Sequence, residues 1–201
     1  LRKTFREARA HRDFMWLLAC TVCYQGGVAV AITLAGIYAE QVIGFVAHET
    51  MMLIFVLNIA ASLGAFGFGY VQDRLGHRLS LAGTLVAWIV VCLVAATATS
   101  KGQFWVAATI AGLAMGSSQS AGRAMAGVLA PPKQLAEFFG LWSFATRLAG
   151  IVGPLGYGLI TLATGGNQRV AILATTGLFV AGIALLMPID MRRGRTAALA
   201  A

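Results

Sequence analysis

Gly69-Tyr70-Val71-Gln72-Asp73-Arg74-Leu75-Gly76-His77-Arg78 is the stretch whose reading decides the fold. It concentrates a carboxylate, two guanidiniums and an imidazole between two long apolar runs. Elsewhere charge is scarce. Of the 201 residues only 11% are charged and 59% are hydrophobic, with a mean hydropathy of +0.80. A soluble domain carries about 25% charged residues. The charged knot therefore reads as an aqueous loop between two membrane spans, and the chain as an all-α polytopic membrane protein.

Six apolar runs are each long enough to span, at roughly 20 residues per crossing. They fall near 14–38, 50–71, 79–99, 103–129, 136–163 and 169–189. They divide the chain into a basic juxtamembrane segment (1–13), a six-helix transmembrane bundle (14–189) and a basic tail (190–201). The net charge of +8 would suggest nucleic acid in a soluble protein. Here most of the cations lie between and beyond the spans, where they act as orientation signals and meet anionic lipid head groups. No nucleic-acid partner is expected. Eleven Lys and Arg residues collect on the side of both termini, the second-to-third loop and the fourth-to-fifth loop. Only Lys101 and Arg169 lie on the other side. The bias places both termini in the cytoplasm, with the cell's inner (plasma) membrane as the expected location. The chain starts at Leu1 and shows no signal peptide, and a trimmed piece of a longer protein is expected.

A glycine pattern occurs twice. Gly64-Ala65-Phe66-Gly67-Phe68-Gly69 on the second run is echoed by Gly153-Pro154-Leu155-Gly156-Tyr157-Gly158 on the fifth. Extended backward, the register pairs Phe55 with Phe144 and Asn58 with Arg147. Units of three helices cross in opposite senses, so the echo implies a 3+3 inverted repeat, a transporter device. Independent glycine-mediated helix packing would give a similar pattern.

Buried amides and charges in a bilayer need partners or water. Gln25 on the first run, Asn58 on the second, Gln119 and Arg123 on the fourth and Arg147 on the fifth are such groups. The third and sixth runs carry only Ser, Thr and Trp in their middles. That division suits a bundle lining a hydrated cavity. Gln25 and Arg147 fall roughly 16 Å from the cytoplasmic edge at 1.5 Å per residue. Gln25, Asn58, Gln119 and Arg147 are the substrate-cavity candidates. Arg123 lies nearer the cytoplasmic end and reads as a structural charge. The Cys20-x-x-Cys23 pair and Cys92 lie in apolar runs and read as core thiols. No metal-ligand pattern, phosphate loop or metalloprotease motif is present, so neither an enzyme nor a cofactor is expected.

The knot, with Gly69, Asp73, Arg74, Gly76 and Arg78, resembles the G-x-x-x-D-[RK]-x-G-[RK]-[RK] loop signature of the major facilitator superfamily, His77 replacing a fixed cation. Gly36-Ile37-Tyr38-Ala39-Glu40, Gly116-Ser117-Ser118-Gln119-Ser120, Pro131-Pro132, Ala136-Glu137-Phe138-Phe139-Gly140 and Gly153-Pro154 are similar to its vacuole-effluxer-like branch, related to the autophagy-associated vacuolar amino-acid exporter. Gly26 departs from that branch, which has an acid after Tyr24-Gln25. The resemblance implies the C-terminal six-helix half of a twelve-helix secondary transporter, with a missing N-terminal half as partner and a small polar solute, an amino acid among the options. It also implies a cytoplasmic gate at the knot. There Asp73 accepts N–H groups of the partner half or pairs with Arg123, and Arg74 and Arg78 meet lipid phosphates or acids. A half-size homodimeric transporter and a non-transporting membrane scaffold or sensor remain open alternatives.

Overall fold

A computed structural model describes residues 11–200. Most of the basic juxtamembrane segment, with Arg2, Lys3, Arg6 and Arg9, lies outside the described residues. Six long helices follow: α1 (Arg12–Tyr38), α2 (Ala47–Leu75), α3 (His77–Thr97), α4 (Lys101–Leu129), α5 (Leu135–Ala163) and α6 (Gln168–Leu186). A short α7 (Met191–Leu199) closes the chain. The charged knot is tighter than a loop. α2 runs through Asp73 and Arg74 to Leu75, and α3 begins at His77. Gly76 alone breaks the helix, at φ 79°, a backbone conformation that favours glycine. The tail expected as a plain basic extension is the helix α7, capped by Asp190, whose side chain accepts from the N–H groups of Arg192 and Arg193.

Five helices are long and apolar enough to cross a membrane; α4 is the long helix that falls short on composition. Its 29 residues still reach about 44 Å, more than a hydrocarbon core of about 30 Å. Five glycines, three serines and two glutamines lower its hydropathy. α4 packs between α2 and α3, so little of it must meet lipid.

Alternate connections sit at opposite ends of the bundle. At one end Arg78 donates to the carbonyl of Met187, Arg193 grips Asp13, and Gly194 of α7 rests on Leu129. At the other end Lys101 pairs with Glu49 at 2.6 Å, and Arg169 donates to the carbonyls of Ala96 and Ala98, capping the end of α3.

The dominant pairings obey the repeat. α2 packs on α4 as α5 packs on α1, and α3 packs on α4 as α6 packs on α1. The echoed glycines mark the two closest crossings. A Cβ on Gly64 would overlap the Leu113 carbonyl, and one on Gly153 would overlap the Gly26 carbonyl. Small residues let membrane helices pack by direct backbone contact. The fold is thus a 3+3 inverted repeat, one half of a major facilitator architecture. Its core joins Phe14, Tyr24, Leu85, Trp88, Met125, Phe138 and Phe179.

Candidate functional site

The structure brings two of the four cavity candidates together. Gln25 on α1 and Gln119 on α4 form a reciprocal amide pair, each Nε2 donating to the other's Oε1 at 3.0 Å. Gln25 is 3% exposed and also donates to the Tyr24 hydroxyl at 3.4 Å. One turn along α4 from Gln119, Gly122 makes room for that tyrosine, since a Cβ there would overlap the hydroxyl. Tyr24 is fully buried. Sequence reasoning passed over it because an aromatic on an apolar run reads as core; its position directly before Gln25 was the available signal.

Asn58 and Arg147 go elsewhere. Asn58 lies two residues from Ala60, which is buried against α4. At 100° per residue this puts it on the opposite face of α2. It is exposed, and its amide donates to the Ile54 carbonyl at 2.8 Å. Arg147 lies midway between buried Ala145 and Ala149, which pack toward α1, and so on the outward face of α5. It is exposed and has no ion pair among the described residues. The two positions paired by the internal repeat therefore occupy equivalent outward faces. Apart from Ser62 and Ser143, large apolar side chains dominate these faces, with Met51, Phe55 and Phe66 on α2 and Phe144, Ile151 and Leu155 on α5 all exposed.

Gln119 shares a second environment. With Ser120, Arg123 and Ala124 of α4, Gly116 of the same helix and Ala65 of α2, it lines an open groove. Gly116 draws the helices together at the inner end, where a Cβ would overlap the Ala61 carbonyl. Beyond it the groove exposes the Arg123 guanidinium.

The knot's residues also part ways. Asp73 and Arg74 are exposed at the end of α2. The pairing of Asp73 with Arg123 considered above is not formed: neither has an ion pair among the described residues. Arg78, expected to meet lipid phosphates or acids, instead donates to the Met187 carbonyl at 2.6 Å at the end of α6. There a cation also suits the helix dipole. Gln72, 5% exposed, bonds the Nδ1 of His77 across Gly76. Gly69 is at the outer face and leaves open space where a Cβ would stand.

Beneath the bundle, Asp13 is 4% exposed. It receives Arg193 Nε at 2.9 Å, Arg193 Nη2 at 2.6 Å and the N–H of Asp190 at 2.9 Å. This strap joins the two ends of the bundle's chain. Sequence counting had treated Arg193 only as a topology signal. Gly26, where the branch has an acid, packs beside Gly153 and Leu178, an apolar crossing between α1, α5 and α6.

Comparison with known proteins follows this geometry. The profile of the family described as vacuole effluxer Atg22 like matches residues 1–199. An uncharacterized transporter of the major facilitator type, YxiO of Bacillus subtilis, is 26% identical over 186 residues, covering 92% of this chain and 43% of that protein. Autophagy-related protein 22 of Cryptococcus neoformans is 28% identical over 179 residues, covering 81% of this chain and 33% of that protein. Among solved structures, a bacterial homologue of the human lysosomal transporter Spinster, inward-facing and unoccupied, superposes with a TM-score of 0.73 at 16% identity. The match covers 99% of this chain and 51% of that one. The chain thus spans about half or less of the length of these proteins.

Proposed function

The chain belongs to the family of vacuole effluxers like Atg22, and from that membership we propose that it is the C-terminal six-helix half of a secondary active transporter. It moves a small polar solute, of the amino-acid class, by alternating access against a second bundle. The observation that carries this reading is the pair of outward faces on α2 and α5. Each is a broad, mainly apolar stripe that carries, well inside the span, an amide or a guanidinium, Asn58 or Arg147, with a serine hydroxyl one turn away, Ser62 or Ser143. A guanidinium held against lipid at that depth is costly. A partner bundle enclosing a watered cavity removes the cost. Gln25, Gln119, Asn58 and Arg147 are the cavity residues of this reading. Gly69, Asp73, Arg74, Gly76 and Arg78 form its cytoplasmic gate, in which the exposed carboxylate of Asp73 meets N–H groups of the partner half.

Both termini lie in the cytoplasm, in the cell's inner (plasma) membrane. Support for the orientation comes from Arg12, Arg74, Arg78 and the arginines of α7 gathering at one end of the bundle. Arg192 and Arg195 on α7 are exposed there, free to meet anionic lipid head groups in this reading. Thiol labelling of single-cysteine variants from each side, combined with membrane fractionation, tests both statements.

Reconstitution tests the function. This chain, alone and together with the six-helix bundle encoded upstream of it, is placed in proteoliposomes and solute flux is measured. Flux only with both bundles, reduced in Arg147→Ala at unchanged membrane abundance, is the expected result. Flux from this chain alone would establish a homodimeric half-size transporter instead. Absence of flux and of any solute-dependent thermal shift would leave a scaffold or sensor.

A further inference from the structure

The groove between α2 and α4 offers a cation and hydrogen-bond donors with no carboxylate to neutralise them. Its polar lining is the guanidinium of Arg123, the amide of Gln119 and the hydroxyl of Ser120, and no carboxylate lines it. α4 has no Asp or Glu anywhere along its length. Arg123 is exposed and has no ion pair among the described residues. The Gln119 amide is held in a fixed orientation. Its oxygen accepts from Gln25 and one of its N–H groups donates back. The second N–H, on the side away from Gln25, has no partner in that pair. Arg123 stands six residues before Leu129, the last residue of α4, about 9 Å from that end of the helix. That places it near the membrane–water boundary, where a guanidinium with no ion pair among the described residues is open to an anion.

We propose that this groove is a carboxylate-binding subsite, in which Arg123 and the outward N–H of Gln119 hold the carboxylate of the solute and Gln25 positions the Gln119 amide. The inference rests on the transporter reading and sharpens its substrate class. It also moves Arg123 from a gate charge to a ligand residue. A guanidinium fork matches a carboxylate with two parallel hydrogen bonds, which an ammonium cannot reproduce. A lipid phosphate shares the anion chemistry, so the source must be separated by experiment.

The test uses the full-length transporter in nanodiscs of phosphatidylcholine. Small solutes are screened by thermal shift in matched pairs, each carboxylate beside its carboxamide. The best-bound solute carries a carboxylate, and its carboxamide binds at least about tenfold more weakly, as loss of a charge-assisted hydrogen bond requires. Arg123→Ala produces a comparable loss for the carboxylate and leaves the carboxamide unaffected, and Arg123→Lys recovers part of it. Gln25→Ala weakens the carboxylate through the freed Gln119 amide. Equal binding of carboxylate and carboxamide, or Arg123→Ala affinity within about twofold of wild type, overturns the subsite while the transporter reading stands. No binding and no flux for any solute overturns both. A second set of nanodiscs adds phosphatidylglycerol. Arg123-dependent stabilisation by that lipid, uncompeted by the carboxylate, would assign the groove to a lipid phosphate and overturn the proposal.

Discussion

The side-chain amides of Gln25 and Gln119 lock α1 to α4 by two antiparallel hydrogen bonds of 3.0 Å, made between residues 94 positions apart. These two helices otherwise share little contact surface, so the amide pair is their principal polar tie. Interhelical hydrogen bonds in membranes average about 0.6 kcal/mol and reach about 1.7 kcal/mol. A double-mutant cycle with Gln25→Ala and Gln119→Ala should give a coupling of roughly 1 kcal/mol, read from unfolding in detergent. Additive effects would show that the pair contributes nothing to stability.

Gly116 is predicted to tolerate no side chain. Its missing Cβ is replaced by the Ala61 carbonyl, so Gly116→Val must push α2 away from α4. Overpacking of this kind costs typically about 1–3 kcal/mol. The variant should melt at lower temperature, whereas Gly67→Val, at a position with open space around it, should not. Equal melting of the two variants would mean that the crossing is not close.

The α7 strap should respond to acid. The N–H groups of Arg193 and Arg192 hold the Asp190 carboxyl below the ordinary aspartate value. A carboxyl lowered in the folded state stabilises it above its unfolded value and loses that contribution as pH falls through the folded value. α7 should therefore stay docked at neutral pH and begin to detach only below the ordinary aspartate range. A spin label on exposed Leu199, followed by electron paramagnetic resonance, would report the release. Asp190→Asn, which cannot lose a charge, should remove the part of the pH response that comes from this cap and leave the part carried by the Asp13–Arg193 bridge. A release midpoint near neutrality in the wild type would contradict the assignment.

Asp73 has no ion pair among the described residues that its loss would break. Asp73→Asn should leave the melting temperature within experimental scatter and, on the two-half transporter proposed above, shift the balance of inward- and outward-open states. Distance measurements between labels on the two halves provide the readout. A large drop in stability would mean that Asp73 holds this bundle together, contrary to its exposure.

The span order and the 3+3 repeat were legible in the sequence because each follows from a period or a count. The echo of Gly64 in Gly153 was readable as letters, and both glycines proved to sit at equivalent helix crossings. Depth was legible too, but direction around the helix was not. Gln25 and Arg147 lie at similar depth, yet one faces α4 and the other faces outward. Helices apolar on all sides give no stripe from which a facing direction can be read. The Asp13–Arg193 bridge escaped for another reason. It joins residues 180 positions apart, and nothing local marks a juxtamembrane charge as paired.

The inverted repeat has a consequence for biogenesis. The same three-helix plan is present twice, entering the bilayer once from each side, so the apolar segments themselves are indifferent to the direction in which they are threaded. Polarity resides in the connecting segments. Relocating Arg74, Arg192 and Arg195 to the opposite loops should weaken the choice of topology while leaving the Arg78–Met187 and Arg193–Asp13 contacts in place. The basic residues around Asp73 are therefore expected to act first during insertion, ahead of the gating role proposed for them.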